Sequence, residues 1–232
     1  MECKPKVKSN SDYLPNFRVS AEIRGLHFII LATILRIIQI ISNRIVRWRL
    51  SDNFTKLGND AQVPPSTVAE YVGLLEDTLV GFLLPAWTES RKRKAIKTGK
   101  FYFFDPGVTH ALAWTETLDR NSNLYGKSFE QFICMELRAY LSYKRKQLPL
   151  TFWRSKNGHE VDFLIGTHTA IEVKASQKIG RHNFKGLRYL QEEGIFKKFL
   201  LVSQDPISSR SEGILCIHWE KFLADLWNDK FV

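Results

Sequence analysis

The chain has 232 residues, of which 44% are hydrophobic and 25% are charged. This composition suits one large or two small folded domains and excludes wholesale disorder. The net charge of +10 favours an anionic partner such as nucleic acid, although a soluble protein can be basic without binding one. Cys3, Cys134 and Cys216 are too far apart for a metal or redox motif, and their odd number argues against a disulfide framework. We therefore expect a cytoplasmic protein.

The N-terminal region begins with a polar stretch. Residues 1–25 carry little periodic signal and no apolar signal-peptide core, so we assign them to a connector or remnant. "LHFIILATILRIIQII" (26–41) is the most membrane-like segment, but Arg36 and Gln39 interrupt it, and a spanning helix needs ~20 predominantly apolar residues. Residues 26–47 are therefore predicted to form a buried or one-sided helix, without membrane contact.

Residues 53–78 have the pattern of two helices joined by a short turn. Pro64 and Pro65 mark the start of the second helix, where Ser66 and Thr67 stand near the cap. Its apolar residues recur at helical spacing: Val68, Tyr71, Val72 and Leu75. This arrangement is typical of a helix-turn-helix, in which Ser66 and Thr67 are candidate DNA contacts.

Two apolar runs, "LVGFLLPAW" (79–87) and "KFYFFD" (100–105), are predicted to be the strands of a β-hairpin. The hairpin would complete a winged helix over residues 26–108. A basic run occupies its tip, and its cations are candidate contacts to DNA phosphates: Arg91, Lys92, Arg93, Lys94, Lys97 and Lys100. The alternative is a solvated charged loop with no nucleic-acid partner.

The second half of the chain alternates helices and strands. Residues 105–125 are predicted to be a turn-rich linker, and a second domain is assigned to residues 120–232. An amphipathic helix begins at Gly126. Strands, a helix and a further strand follow at 150–155, 160–166, 170–176, 182–194 and 197–203, and a strand and a short helix follow at 214–219 and 220–228. The fold class is therefore α/β, with a winged-helix segment followed by an αβββαβ domain.

Acidic side chains interrupt two of these apolar strands. Because side chains alternate along a strand, Glu160, Asp162 and Leu164 are predicted to share one face, opposite Val161, Phe163 and Ile165. On the next strand Glu172 and Lys174 share a face, and the short connection "GTHT" predicts a hairpin between the two strands. Asp162, Glu172 and Lys174 are therefore expected to converge.

Two adjacent carboxylates repel each other unless a cation joins them or one is protonated. Oxygen ligands favour a hard cation, Mg²⁺ in the cytoplasm, which would polarise a phosphodiester and activate water. Lys174 would hold the attacking water or stabilise charge on the phosphate. The alternative is a salt bridge among Asp162, Glu172 and Lys174 on a solvated sheet face.

These residues and their order resemble the PD-(D/E)XK nuclease-like superfamily, although Val161 replaces the proline of the motif. The start of the helix, "GKSFEQF", resembles the G-x-x-x-E of archaeal Holliday-junction resolvases. That likeness assigns the helical acid to Glu130 and implies a restriction-endonuclease-like domain. The implied catalytic set is Glu130, Asp162, Glu172 and Lys174, with Asp162, Glu172 and Glu130 as metal ligands.

Residues from about 20 to 228 also resemble the C-terminal half of prokaryotic AAA-type ATPases that carry a domain of unknown function. The matching stretches are "AEIR", "DAQVPPSTVAEYVGLLEDTLVGFLLPAW", "GKFYFFDPGV", "FWRSKNGHEVDFLI", "AIEVKAS" and "FKGLRYL". The resemblance implies a winged helix between an ATPase module and a nuclease-like domain, with DNA as partner. Only about 20 residues precede "AEIR", and "NSNLYGKS" (121–128) has Asn121 where a phosphate loop needs glycine, so ATPase activity is not expected.

Three functions are consistent with this sequence. The first is a Mg²⁺-dependent endonuclease that uses the four site residues. The second is a non-catalytic DNA-binding module, and the third is an interaction module that binds a separate ATPase in trans. The helix after Pro65 has no arginine to read bases, so any DNA affinity is assigned mainly to the basic run and the nuclease-like face.

Overall fold

The computed structural model describes residues 54–112 and 115–232. The connector predicted for residues 1–25 and the helix predicted for residues 26–47 lie outside the described residues. No helix within the described ranges has both the length and the apolar character needed to cross a membrane.

The first described part consists of paired helices followed by a two-stranded hairpin. Its elements are α1 (Phe54–Ala61), α2 (Pro65–Asp77), β1 (Gly81–Leu84), β2 (Lys100–Phe103) and α3 (Pro106–Leu112). The predicted helix after Pro64 is confirmed. It begins at Pro65, whose ring fixes the backbone angle φ near the helical value. The two predicted strands are also confirmed and pair antiparallel, with Gly81 opposite Phe103.

The predicted linker at 105–125 is partly helical. Asp105 Oδ1 accepts hydrogen bonds from the N–H groups of Gly107 (2.6 Å) and Val108 (3.2 Å), which caps α3. The sequence prediction of a turn-rich segment is wrong for residues 106–112, because the aspartate satisfies the first amides of a short helix.

The second part has the predicted order of a helix, three strands, a helix and a strand. Its elements are α4 (Asn123–Tyr143), β3 (Leu150–Arg154), β4 (Glu160–Ile165), β5 (Thr169–Lys174), a 3₁₀ helix (Arg181–Phe184), α5 (Lys185–Gln191), β6 (Lys198–Ser203), β7 (Ser209–Ser211), β8 (Ile214–His218) and α6 (Trp219–Trp227). The helix α4 begins three residues before the predicted Gly126, because the Ser122 side chain accepts from the N–H of Tyr125 and caps it.

The strands of the second part form a mixed sheet, which in the described residues has six strands in the order β3-β4-β5-β6-β8-β7. The strands β3, β4 and β5 are antiparallel neighbours, whereas β5, β6 and β8 run parallel. The short strand β7 pairs antiparallel with β8 at the edge. The protein is therefore of mixed α/β class.

Apolar cores lie on both faces of this sheet. The larger core joins α4 and α6 to the sheet and contains Ile133, Leu137, Phe163 and Phe222. The second core joins α5 to the other face, through Leu187 and Leu201 among others. Helices therefore cover the sheet on both sides, which buries the strands that carry the acidic residues.

The hairpin of the first part packs into the larger core. Residues in β2 alternate: Phe101 and Phe103 join a third core with α1 and α2, whereas Tyr102 joins the larger core with α4. Lys100 shares the face of Tyr102 and points in the same direction, toward α4 and the sheet. The two predicted domains thus share packed side chains along β2.

A bulge in β4 changes the predicted strand faces. Between the pairs Thr151–Leu164 and Trp153–Val161, β3 has one residue and β4 has two, Asp162 and Phe163. Phe163 therefore joins the larger core while Leu164 joins the second core with Val161. The predicted strict alternation of residues 160–165 is wrong at this point, because the extra residue shifts the remainder of the strand.

Gly186, in the first turn of α5, lies against the backbone at the start of β4. A Cβ at this position would overlap the carbonyl oxygen of Glu160. We expect Gly186→Ala to lower the free energy of unfolding by about 1–3 kcal/mol, because the overlapping atom is backbone and cannot rotate away. Urea denaturation measures this change.

Gly73→Ala is the matched control, because it makes the same exchange within α2, where an added Cβ meets no atom within 4 Å. It should raise the free energy of unfolding by about 0.5–1 kcal/mol through its helix preference. Similar effects of the two substitutions would contradict the packing of α5 on β4 described above.

Candidate functional site

A buried lysine lies at the centre of the acidic residues. The ammonium of Lys100 lies 2.5 Å from Glu160 Oε1, 3.1 Å from Glu130 Oε1 and 3.7 Å from Asp162 Oδ1. Lys100 is only 2% exposed. Lys100, Glu130, Glu160 and Asp162 are called the Lys100 cluster below, and it joins β2, α4 and β4.

Aromatic groups enclose this cluster. The hydroxyl of Tyr102 donates to Glu130 Oε1 at 2.7 Å, and the ring of Phe152 lies 4.8 Å from the Lys100 ammonium. Burial, and then the charge of Glu130, raise the pKa of Tyr102 well above its ordinary value, so the phenol stays a donor. Glu130 is therefore held by two donors on β2.

The bulge in β4 directs the carboxylate of Asp162 toward β5. The described pairing of β4 with β5 ends at Phe163 and Ile171, and the N–H of Val173 donates to Asp162 Oδ2 at 2.9 Å. The aspartate thus takes an amide of the neighbouring strand, which brings its charge beside Glu172. This is the convergence that the strand pattern predicts.

Glu172 and Lys174 complete the site on β5. The Lys174 ammonium donates to Glu172 Oε1 at 2.5 Å, whereas the buried Glu172 Oε2 has no hydrogen-bond partner. Burial, and then the charge of Asp162, raise the pKa of Glu172 to about 8. Burial alone would lower the pKa of Lys174, but the charges of Asp162 and Glu172 outweigh it and hold that pKa above its ordinary value.

The charges of the site balance only if one acid is neutral or another cation is present. Four carboxylates, of Glu130, Glu160, Asp162 and Glu172, face the cations of Lys100, Lys174 and Arg154, whose Nε lies 3.7 Å from Glu160 Oε2. One negative charge is left over when all of these groups are ionised. Protonation of Glu172 removes this excess charge, and so would a bound cation.

The predicted three-acid metal site is not assembled within residues 54–112 and 115–232. No group of three His, Cys, Asp or Glu side chains there is arranged to hold a metal ion. Glu130, predicted as the third ligand, turns its Oε1 to Lys100 and Tyr102. Asp162 and Glu172 remain as a carboxylate pair, which fits Mg²⁺, because this ion keeps several water ligands and needs only one or two carboxylates.

The basic run is docked against α5 and does not project as a free hairpin tip. Buried Glu193 accepts hydrogen bonds from the Ser90 hydroxyl (2.7 Å) and from the N–H groups of Arg91 (2.8 Å) and Lys92 (3.2 Å). Burial would raise the pKa of Glu193, but these hydrogen bonds outweigh it and hold that pKa below its usual range. Arg93 lies over the ring of Tyr189 at 4.5 Å.

The remaining predicted DNA contacts differ in exposure. Arg93 forms a salt bridge with Glu192 at 2.6 Å, so its positive charge is partly neutralised within the protein. Lys100 is buried in its cluster, so its predicted contact with phosphate is wrong: the carboxylates 30 and more residues away draw it inward. Ser66 is exposed in the first turn of α2, next to the partly exposed Thr67.

Other exposed cations extend the basic run along the surface. The backbone of Lys156 donates to the carbonyl of Lys94 at 2.9 Å, which places the two residues side by side. Burial, and then the charge of Lys185, lower the pKa of His159, the residue that precedes β4. The name basic ridge is used below for the exposed residues Arg91, Lys92, Lys94, Lys97, Lys156 and Lys185.

Sequence reasoning missed Tyr102, the role of Glu160 and the true environment of Lys100. A signal was present for Lys100 and Tyr102, because two polar-tipped side chains at alternate positions of an aromatic strand share one face. The residues Gly126, Lys127 and Ser128 lie within α4, where the N–H of Gly126 donates to the carbonyl of Ser122 at 3.2 Å.

Replacement of Glu172 by glutamine tests the electrostatics of the site. In the folded protein Glu172 keeps its proton up to a pKa of about 8, whereas its ordinary value is 4.5. Its contribution to stability is therefore present below pH 4.5 and is lost as the pH rises toward 8. We expect Glu172→Gln to remove this loss. At pH 9 the free energy of unfolding of the variant should exceed that of the wild type by a few kcal/mol.

Urea denaturation between pH 5 and 9 measures the difference between the two proteins. Glu220→Gln is the control, because the Glu220 side chain is 69% exposed and should change the pH dependence little. Parallel curves for the wild type and Glu172→Gln would show that Glu172 ionises as an ordinary carboxyl.

Comparison with known proteins gives two family matches. Residues 125–222 match the model described as Domain of unknown function (DUF4143), and residues 29–119 match Domain of unknown function (DUF8612). The first of these is found in the C-terminal regions of AAA-type ATPases. The described site draws on both matched stretches, because Lys100 lies in one and Asp162 in the other.

Two mycobacterial proteins match part of the chain. It is 29% identical over 125 residues to the uncharacterized protein Mb2031c of Mycobacterium bovis, and equally to the uncharacterized protein Rv2008c of Mycobacterium tuberculosis. The match covers 51% of this chain and only 27% of each relative's length. No solved structure matches the chain. The chain is thus similar to two domains of unknown function, one of which occurs at the C-terminal ends of ATPases.

Proposed function

We propose that this protein acts on nucleic acid as a divalent-cation-dependent phosphodiesterase whose site is Asp162, Glu172 and Lys174. The observation that carries this proposal is the buried Oε2 of Glu172, which has no hydrogen-bond partner and belongs to a residue next to the Asp162 carboxylate. An unsatisfied buried acceptor is unfavourable, and a cation between the two carboxylates would satisfy it.

The residues present suit such a reaction. A Mg²⁺ ion, when bound, supplies polarisation of the phosphodiester and a bound water of lowered pKa. Asp162 and Glu172 would hold the ion. Lys174 keeps its proton, and its side chain is 34% exposed, so its ammonium can reach a phosphate and stabilise negative charge there.

The order of elements supports a nuclease-like assignment for the second part. The helix α4 is followed by β3, β4 and β5, with Asp162 in β4 and Glu172-x-Lys174 in β5. This is the order on which the likeness to the PD-(D/E)XK superfamily rests. The paired helices α1 and α2 with the β1–β2 hairpin similarly favour a winged helix.

Nucleic acid is the proposed substrate because exposed cations of the basic ridge lie next to the strand that carries Asp162. The basic ridge includes Lys156 and Lys185, which flank His159 and the start of β4 at Glu160. A phosphate backbone that follows these exposed cations would be directed toward Asp162, two residues into the same strand.

A second function is favoured by the buried lysine. Once Glu172 is protonated, the charges of Glu130, Glu160 and Asp162 are balanced by the three cations Lys100, Lys174 and Arg154. The site is then electrostatically complete without a metal. The alternative proposal is therefore a non-catalytic nucleic-acid-binding or protein-interaction module that acts with a separate ATPase.

Cleavage of supercoiled and branched DNA with Mg²⁺ or Mn²⁺ tests the catalytic proposal. We expect Asp162→Asn to reduce the rate to background, because the substitution removes one of the two charged ligands without changing side-chain size. Lys174→Met should reduce the rate by about 100-fold or more through loss of charge stabilisation on the phosphate.

Glu212→Gln is the control, because Glu212 is an acid with a 62% exposed side chain next to β7, at the opposite edge of the sheet from β3, and the rate should not change. A wild-type protein that cleaves neither substrate with either ion would reject the hydrolytic proposal and retain the non-catalytic alternative. Cleavage at an unchanged rate by Asp162→Asn would assign the activity to another site or to a contaminant.

The basic ridge predicts salt-dependent binding. For the triple variant Arg91→Ala, Lys92→Ala and Lys94→Ala, we expect the slope of log affinity against log salt to become shallower by about 2–3, since each lost phosphate contact removes roughly 0.9. Fluorescence anisotropy with a labelled duplex measures this slope.

Arg210→Ala removes an exposed cation from β7, at the opposite edge of the sheet from β3, and should leave the slope unchanged. An equal slope for the triple variant and the wild type would show that the basic ridge does not contact phosphates.

A further inference from the structure

Three carboxylates surround the ammonium of Lys100. Oxygens of Glu160, Glu130 and Asp162 lie 2.5, 3.1 and 3.7 Å from its ammonium, and they come from two different elements. The Lys100 side chain is 3% exposed and lies over the ring of Phe152. A single positive charge thus occupies the centre of three acids.

Asp162 contacts Lys100 with one carboxylate oxygen and the backbone of β5, next to Glu172, with the other. Its Oδ1 faces Lys100, whereas its Oδ2 faces β5 and accepts from the N–H of Val173, the residue after Glu172. Two-metal phosphoryl-transfer sites hold their ions about 3.5–4 Å apart. Asp162 therefore corresponds to the carboxylate that two cations share in such a site. One cation position is occupied by the Lys100 ammonium, and the other lies at Glu172.

We propose that the ammonium of Lys100 takes the position of a second divalent cation, so that the site accepts one ion, at Asp162 and Glu172. Lys100 is then a positioning residue that determines metal stoichiometry and fixes Glu130, Glu160 and Asp162. This inference rests on the proposed function for its first ion.

A role in stability alone explains the lysine poorly. Burial of an ammonium among carboxylates gives little net stability compared with apolar residues of similar volume, because all of the charged groups lose their water. The surroundings of Lys100 already include Tyr102 and Phe152, so an apolar side chain at this position would be well packed. A cation is needed at position 100 because three carboxylates surround it.

Mn²⁺ titration followed by electron paramagnetic resonance, which counts bound ions from the loss of the free signal, tests the proposal. We expect the wild type to bind one Mn²⁺ and Lys100→Met to bind two. Lys197→Met, the same exchange at an exposed position next to β6 and outside the basic ridge, should bind one. Thermal unfolding with and without Mn²⁺ gives a second readout, in which the ion should raise the Tm of Lys100→Met more than that of the wild type.

The results separate this inference from the proposed function. Equal stoichiometry for the wild type and Lys100→Met overturns the inference, and if that number is one, the metal site of the proposed function stands. Binding of no ion by the wild type and of one by Lys100→Met removes the proposed metal site at Asp162 and Glu172 and, with it, the one-ion stoichiometry inferred for the wild type. Two ions in the wild type overturn the inference.

If Lys100→Met does not fold without ions, the double variant Lys100→Met with Glu130→Gln replaces it. This variant removes one charge of each sign and keeps Glu160 and Asp162, so we expect it to bind one ion more than the wild type. Binding of the same number as the wild type would overturn the inference.

Discussion

The assembly of the site depends on one buried ammonium. Lys100 begins β2, and its partners Glu130 and Glu160 come from α4 and β4. Without these acids, an ammonium that is 2% exposed would be strongly unfavourable, and the acids would repel one another without it. The cluster therefore forms only when hairpin, helix and sheet have come together, which couples the integrity of the site to the tertiary fold.

The hairpin and the sheet also share backbone and apolar contacts. The backbone N–H of Trp87 donates to the carbonyl of Phe152 at 2.7 Å, and the Trp87 side chain packs in the second core. A surface that binds phosphates and a site that acts on them would therefore lie on the same scaffold. Contact between the two predicted domains is part of the site itself, because Lys100 contributes to it from the first of them.

Some features of the fold and the site could be predicted from local sequence patterns, and others could not. The helix α2 could be predicted because Pro64 and Pro65 mark its start. The convergence on β5 could be predicted from the spacing of Asp162, Glu172 and Lys174. The burial of Lys100 could not be predicted, because it follows a basic run and its partners are 30 and 60 residues away. The bulge at Asp162 and Phe163 escaped prediction for a related reason, since it depends on how β3 pairs with β4.

Glu193 fixes the backbone of residues 90–92 through its hydrogen bonds to Ser90, Arg91 and Lys92. The conformational entropy of this segment is therefore lost during folding and not during association. An anionic polymer that reaches the surface meets cations on a preorganised backbone, and only side-chain rotamers remain to be ordered. Encounter would then be governed by long-range electrostatic steering and not by a slow rearrangement of the loop.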